Sequence, residues 1–228
     1  MYRTKSVMRL SQALEDYLKV IYVLEADGEK ATTTAIAQAL DVSNASVTNM
    51  LKKLARMNLI VHESYKGAEL SPAGKKVALE ILRHHRLLEL YLKEVMGYSW
   101  DEVHDEAEKL EHHISEQFED RIAELLDHPT YDPHGDPIPT KDGIMPEKAT
   151  LALNEAEIKT LYMIGRVRDQ NPELLRYLEQ QGVLPGVELT IIEKAPFDGP
   201  ISLEIDSEII SLGFSIAQNI FLIRPSRQ

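Results

Sequence analysis

The 228-residue sequence contains no cysteine. That absence excludes structural disulfides, thiol catalysis, cysteine-bound zinc and iron–sulfur clusters together. Aromatic residues make up only 6%, with a single tryptophan. No apolar run approaches the ~20 residues needed to cross a bilayer, and the N-terminal MYRTKSVMRLSQ lacks the apolar core of a secretory signal. A cytoplasmic protein with no membrane partner is expected. Familiar catalytic signatures are missing too: there is no H-E-x-x-H, no nucleophile elbow and no glycine-rich phosphate loop. What is present is 43% hydrophobic residues, 27% charged residues and an excess of acid, with 25 Lys+Arg against 37 Asp+Glu and a net charge of −12. Taken whole, that charge argues against nucleic acid, because phosphates attract cations.

The charge is unevenly spread. Residues 1–75 carry a net +2, residues 76–149 a net −10 and residues 150–228 a net −4. Seven of the eight histidines lie between His84 and His134, so carboxylates and imidazoles are concentrated in one segment. Separate modules describe the chain better than one.

Ser11 is positioned to cap a helix with Leu14, Leu18, Ile21, Val23 and Leu24 near helical period, ending before Gly28. A Thr-rich cap at 32–34 opens a second short helix. After a break at Val42-Ser43-Asn44 a third follows, with Val47, Met50, Leu51 and Leu54 in one stripe. Two short helices joined by a tight turn make a helix-turn-helix. Two strands around a Tyr65-Lys66-Gly67 turn then complete a winged helix. A long helix is predicted from Ser71-Pro72 to Met96, stopped by Gly97. Ser99 with Glu102 forms a capping box for a helix over WDEVHDEAEKLEHH, and another helix covers SEQFEDRIAELLDH. A Pro-rich linker follows. The last module alternates apolar residues at strand period around one short helix capped by Asn171, as in a small SH3-like barrel.

The expected fold is therefore mainly α with a small β domain. Its parts are a winged helix-turn-helix at 1–72, a helical domain at 73–130, a linker at 131–149 and the SH3-like β-barrel at 150–228. A helix entering the major groove needs short polar side chains for base edges and cations for phosphates. Ser43, Asn44, Ser46, Thr48 and Asn49 supply the first; Lys52 and Lys53 supply the second. Tyr65 and Lys66 in the wing and Arg3 and Lys5 in the N-terminal arm add contacts. An ordinary solvated helical face is the plainer reading of the same residues.

In the acidic segment, His85 and Glu89 are spaced i,i+4, as are His104 and Glu108; Glu108 stands i,i+3 from Glu111 and i,i+4 from His112. Residues at such spacings share a helix face, and two helices bearing them build metal sites in helical bundles. An acidic solvated surface is the alternative.

The order of winged helix, LRHHRLLELYL, VHDEAEKLEHHIS, HGDPIP and a small β module resembles the diphtheria-toxin-repressor family of metal-dependent transcriptional regulators in its three-domain form, across essentially the whole chain. The resemblance implies that the helical domain also dimerises and that the C-terminal domain is FeoA-like. It implies one metal site at Asp16, Glu108, Glu111 and His112, and a second at His85, Glu89 and His104 with help from Asp169 or Glu173. Iron-type members carry Met where Asp16 stands and Cys where Glu108 stands, whereas manganese-type members match this chain at both. Carboxylate oxygens suit Mn²⁺. Lys19 occupies the place of a further Glu in the manganese-type regulator, which implies separate sites rather than a two-ion cluster.

The function so implied is Mn²⁺-dependent regulation, with repression of metal-uptake genes by a homodimer on palindromic operator DNA. Fe²⁺ is a second candidate activator, and Zn²⁺, Co²⁺ and Cd²⁺ are expected to substitute in vitro. Metal on Asp16 and the following helices would fix the winged helix for DNA binding. No small organic substrate is expected. The competing classes are a metalloenzyme with hydrolase chemistry, in which the winged helix would be idle, and a metal-independent DNA-binding protein.

Overall fold

The structure, a computed structural model, describes residues 10–63, 67–168 and 171–225. They fall into two compact units, one of the described residues from 10 to 84 with 141–143 and one of the described residues from 85 to 140 with 144–225.

In the first unit, helix α1 (Gln12–Ala26) buries Leu14, Tyr17, Leu18, Ile21 and Tyr22. Val23, expected on that stripe, is exposed. The helical period carries the tyrosines inward and turns Val23 out. Helix α2 (Thr33–Ala39) starts where the Thr32 side chain accepts the Ala35 N–H. Helix α3 (Asn44–Arg56) starts where Ser43 accepts from Ser46 N, and Val47, Leu51 and Leu54 are buried. Strands β1 (Ile60–Glu63) and β2 (Gly67–Leu70) form an antiparallel hairpin. Glu25 Oε1 accepts the Leu70 N–H at 2.8 Å, tying α1 to this wing. Helix α4 (Pro72–Glu94) follows. Its Gly74 packs so tightly on the residue before β1 that an added Cβ would lie 1.9 Å from the Leu59 carbonyl oxygen.

The second unit contains two apolar clusters. One joins Leu87, Leu88 and Leu92 of α4 with Val103 and Ala107 of α5 (Val103–Leu110), Ile122 and Ala123 of α6 (Glu116–Leu125), and Ile138. The predicted capping box is present, with the Glu102 carboxylate accepting from Ser99 N and Ser99 Oγ at 3.2 and 2.6 Å. The α-helix nevertheless starts only at Val103, because residues 100–102 turn to bury Trp100. It also ends early: Glu111 and His112 lie in the turn past Leu110.

The other cluster fills a six-stranded antiparallel sheet of order β3-β8-β4-β5-β6-β7. Its strands are β3 (Leu151–Ala152), β4 (Leu161–Val167), β5 (Glu188–Lys194), β6 (Ile201–Ile205), β7 (Glu208–Leu212) and β8 (Ile220–Ile223). Helix α7 (Pro172–Gln180) lies between β4 and β5, its first turn capped by Asn171 Oδ1, and α8 (Phe214–Ala217) precedes β8. Among the described residues no helix is long and apolar enough to cross a membrane.

Candidate metal centre and nucleic-acid interface

His85 is the centre of the acidic segment. It points inward from α4, 5% exposed, with a carboxylate on each side of its ring. Nδ1 lies 2.5 Å from Glu111 Oε2, and Nε2 lies 2.9 Å from Glu89 Oε1 and 3.1 Å from His104 Nδ1. His104 Nδ1 is itself 3.1 Å from Glu89 Oε1, so three donor atoms form a nearly equilateral triangle. Donors about 2.1 Å from a divalent ion stand about 3 Å apart at right angles, so the triangle fits one face of a coordination shell. Glu108 Oε1 approaches His85 at 3.8 Å and His104 at 3.9 Å. His85, His104 and Glu108 can thus bring one donor atom each within 4.8 Å of one another.

Glu89 is 2% exposed. Burial alone would raise its pKa. The charge of His85 and hydrogen bonds from His104 and His85 outweigh that and hold the carboxyl well below its ordinary range. The second donor set is therefore brought together inside this unit. Of the first set, Glu111 is fully buried and its Oε1 lies 3.2 Å from His112 Nε2, with Glu108 near by. Asp16 lies half-buried on α1 in the other unit. Glu173 is exposed in the first turn of α7 and belongs to no cluster of ligating groups among the described residues. Asp169 lies outside them.

Sequence reasoning treated HGDPIP only as linker, yet this loop packs beside the cluster. Arg86, next to His85, lies 3.6 Å from Asp132 and 3.6 Å from Asp136, and donates to the Pro137 carbonyl. Arg166 of β4 is 3.5 Å from Asp136. Asp132 Oδ1 accepts the N–H groups of His134 and Asp136 at 2.8 and 2.9 Å. Burial and the charges of Glu89 and Asp136 raise the Asp132 carboxyl well above its usual range, against the opposing pull of Arg86. The signal in the sequence was the pair of aspartates flanking a histidine at two-residue spacing.

On α3, Ser43, Asn44, Ser46, Asn49, Lys52 and Lys53 are exposed and Thr48 is half-buried. Ser43 and Ser46 hydroxyls are 2.9 Å apart, and Thr48 donates to the Asn44 carbonyl at 2.9 Å. These three hydroxyls are partly engaged in the helix itself, so Asn44, Asn49, Lys52 and Lys53 project most freely. Arg3, Lys5, Tyr65 and Lys66 lie outside the described residues. Among the apolar residues of the long helix and the turn after it, Leu88 and Leu92 are buried in the core and Val95 is exposed.

Residues 9–68 match the family model for the iron dependent repressor N-terminal DNA binding domain, and residues 71–140 match that for the iron dependent repressor metal binding and dimerisation domain. Residues 151–224 match the FeoA domain. The iron-dependent repressor IdeR of Mycobacterium tuberculosis is 30% identical over 223 residues, covering 92% of this chain and 96% of that protein. The chain belongs to the iron-dependent repressor family. Iron-dependent repressors are DNA-binding, metal-dependent transcriptional regulators rather than enzymes, which removes the metalloenzyme alternative. A solved manganese-dependent transcriptional repressor in complex with manganese aligns with a TM-score of 0.86 at 36% identity, over 93% of this chain and 100% of that one. ScaR with bound Zn²⁺ aligns with a TM-score of 0.77 at 39% identity, over 93% and 99%. Family membership accounts for the winged helix, the helical domain and the FeoA-type sheet in a single chain.

Proposed function

We propose that this chain is a manganese-responsive repressor that binds palindromic operator DNA as a homodimer and controls metal-uptake genes. The observation that carries the metal reading is the triangle of His85, Glu89 and His104, with Glu108 and Glu111 against it. A bound divalent ion supplies positive charge that offsets the carboxylates gathered there. His85, Glu89 and His104 hold the second site; Glu108, Glu111 and His112, with Asp16, hold the first. Oxygen-rich donors without any thiolate favour Mn²⁺ over softer ions. The likeness to a repressor solved with manganese supports the same choice.

The DNA reading rests on α3, where Asn44 and Asn49 meet base edges while Lys52 and Lys53 meet phosphates. Partnering is supported by an apolar groove of about 600 Å³ among α4, α5 and α6, lined by Leu88, Tyr91, Met96, Leu110, Ile114 and Phe118. Met96 and Phe118 are exposed there, which suits an interface between two copies.

The test is a gel-shift titration on a palindromic operator with Mn²⁺, Fe²⁺ and Zn²⁺ at fixed salt. Mn²⁺ is expected to raise operator affinity at least about 100-fold over the chelated protein, consistent with a coupling of a few kcal/mol. Asp16→Ala and His112→Ala are expected to abolish that response. Binding that survives chelation overturns the reading in favour of a metal-independent DNA binder.

A further inference from the structure

Trp100 is 1% exposed and belongs to the apolar cluster that fills the six-stranded sheet. Among the described residues, every other buried member of that cluster lies between Leu153 and Leu222, so Trp100 is the only one supplied by the helical part of the chain. Val103, three residues on, is buried in the other cluster with Leu87, Leu88 and Ala107. The start of α5 is therefore held by two separate cores, and His104 is the next residue after the second anchor.

A charge pair reinforces the first anchor. Arg176 of α7 donates to the Asp101 carboxylate, whose side chain is only 6% exposed while that of Arg176 is half exposed. Burial would raise the Asp101 pKa; hydrogen bonds from Ser99 and Arg176 outweigh it and hold the carboxyl below its ordinary range. Removing Arg176 would leave that charge covered and poorly compensated. The Trp100 Nε1–H donates to the Pro133 carbonyl at 3.1 Å, in the loop that Arg86 of α4 grips through Asp132 and Asp136. These directional links matter because the donor triangle spans two helices. His85 and Glu89 come from α4 and His104 from α5, and both sides that cross between them measure 3.1 Å. Apolar contact alone is non-directional, whereas metal sites hold their ligand distances to within about 0.2 Å.

We propose that Trp100 and Asp101 are positioning residues for His104, through which the FeoA domain, by way of Arg176, sets the affinity of the donor set formed by His85, Glu89 and His104. The inference rests on the metal reading of that set and adds a regulation to it. The grip of the sheet core and of α7 on the start of α5 fixes where the His104 imidazole stands relative to α4. Neither Trp100 nor Asp101 is offered as a ligand. Both act through one turn of chain.

Full-length protein carrying Arg176→Ala tests this, because that side chain is half exposed and its loss empties no core. Two quantities are measured: Zn²⁺ affinity in competition with a chromophoric chelator and, in metal-free protein, the ring ¹⁵N resonances of His104. By charge alone, deleting one cation would tighten the binding of another. Positioning predicts the opposite sign. Second-site Zn²⁺ affinity is expected to fall at least about threefold, less than the tenfold typical of groups bonded directly to a ligand, and the His104 resonances are expected to move. Arg176→Lys, which keeps the charge pair, is expected to restore part of both. Trp100→Phe keeps an apolar ring in the sheet core, removes the Nε1–H and is expected to weaken Zn²⁺ binding likewise. His104→Ala identifies the second-site step by deleting it. If His104→Ala leaves Zn²⁺ binding intact, the metal reading of the donor set itself fails. If it removes that step but Arg176→Ala or Trp100→Phe binds Zn²⁺ as tightly as the unmodified protein, or more tightly, the positioning proposal is overturned. Weakened binding with unmoved His104 resonances overturns it equally, because the effect then reaches the site by a route other than α5.

Discussion

At the scale of single residues, Asp132 shows how a buried carboxylate can be retained for its geometry. One oxygen caps two backbone N–H groups and so sets the turn that presents His134. Its other oxygen, 3.6 Å from Arg86, receives too little in return for its burial beside Glu89 and Asp136. A carboxyl whose pKa is raised on folding binds its proton more tightly in the folded state, so it favours folding at low pH. That contribution is lost as pH rises from the unfolded value, near 3.9, through the folded one. Asp132→Asn keeps the capping oxygen and removes the charge. Metal-free Asp132→Asn protein is expected to gain about 1 kcal/mol at pH 7, or roughly 2–4 °C in Tm, with no gain at pH values where the native residue is protonated. Thermal melts at a series of pH values check this; a loss of stability at pH 7 would show that the pairing with Arg86 dominates. Spacing in the sequence placed Glu89 beside His85 and Glu108 beside His104, because each pair is local on a helix. It could not place Glu111 on the far side of the His85 ring, a contact across 26 residues that only packing creates.

At the scale of elements, legibility followed local chemistry. Thr32 and Asn171 cap the helices they were expected to cap, and Ser43, read only as part of a break, caps α3, since a side-chain oxygen meeting an N–H two or three residues on is decided locally; Ser11, expected to cap α1, makes no side-chain cap hydrogen bond. Helix α5 was misjudged at both ends. The Ser99–Glu102 contact forms without starting the helix at Ser99, because burying Trp100 is worth more than three residues of helix. Strand β7 was not seen at all. Its residues are mostly exposed at the sheet edge, and nothing buried alternates with period two. The loop carrying His134 depends on a backbone approach that no pattern reveals. Gly135 has φ +84°, and a Cβ there would lie 2.1 Å from the Gly165 carbonyl oxygen. Gly135→Ala is expected to cost about 3 kcal/mol or more, from backbone strain and the clash together. Gly186→Ala has a similar φ of +89° and nothing within 4 Å, so it is expected to cost only about 1–2 kcal/mol. Urea denaturation of the two variants compares them directly, and equal losses would mean that the β4 contact is unimportant.

At the scale of the whole molecule, the net charge of −12 misled as long as it was treated as one number. The DNA-facing third is mildly basic, and the acid is gathered where a cation is proposed to bind. Two copies would double the number of lysines offered to DNA, which gives the apolar groove a role in affinity as well as assembly. Phe118 is half exposed on that groove and edge-on to Tyr91 at 6.5 Å between ring centroids. Phe118→Glu is expected to weaken self-association at least about tenfold, read by sedimentation, with the circular dichroism melt little changed. Unaltered association would place the contact between copies elsewhere. Family and fold class were legible because each is written in short motifs. The groove was not, because Leu88 and Leu92 both belong to the core cluster and line the groove, and helical spacing alone does not separate the two roles.

The single tryptophan has a practical consequence. Trp100 is buried against the apolar filling of the sheet and stacked on His134, while the chain that follows it leads directly to His104. All the indole emission of the protein therefore originates at one point, in van der Waals reach of the loop. A change of charge on the stacked imidazole is expected to alter the brightness or colour of a chromophore already in place, read by fluorescence. The unlabelled chain carries its own optical gauge, located where the sheet, the loop and the histidines meet.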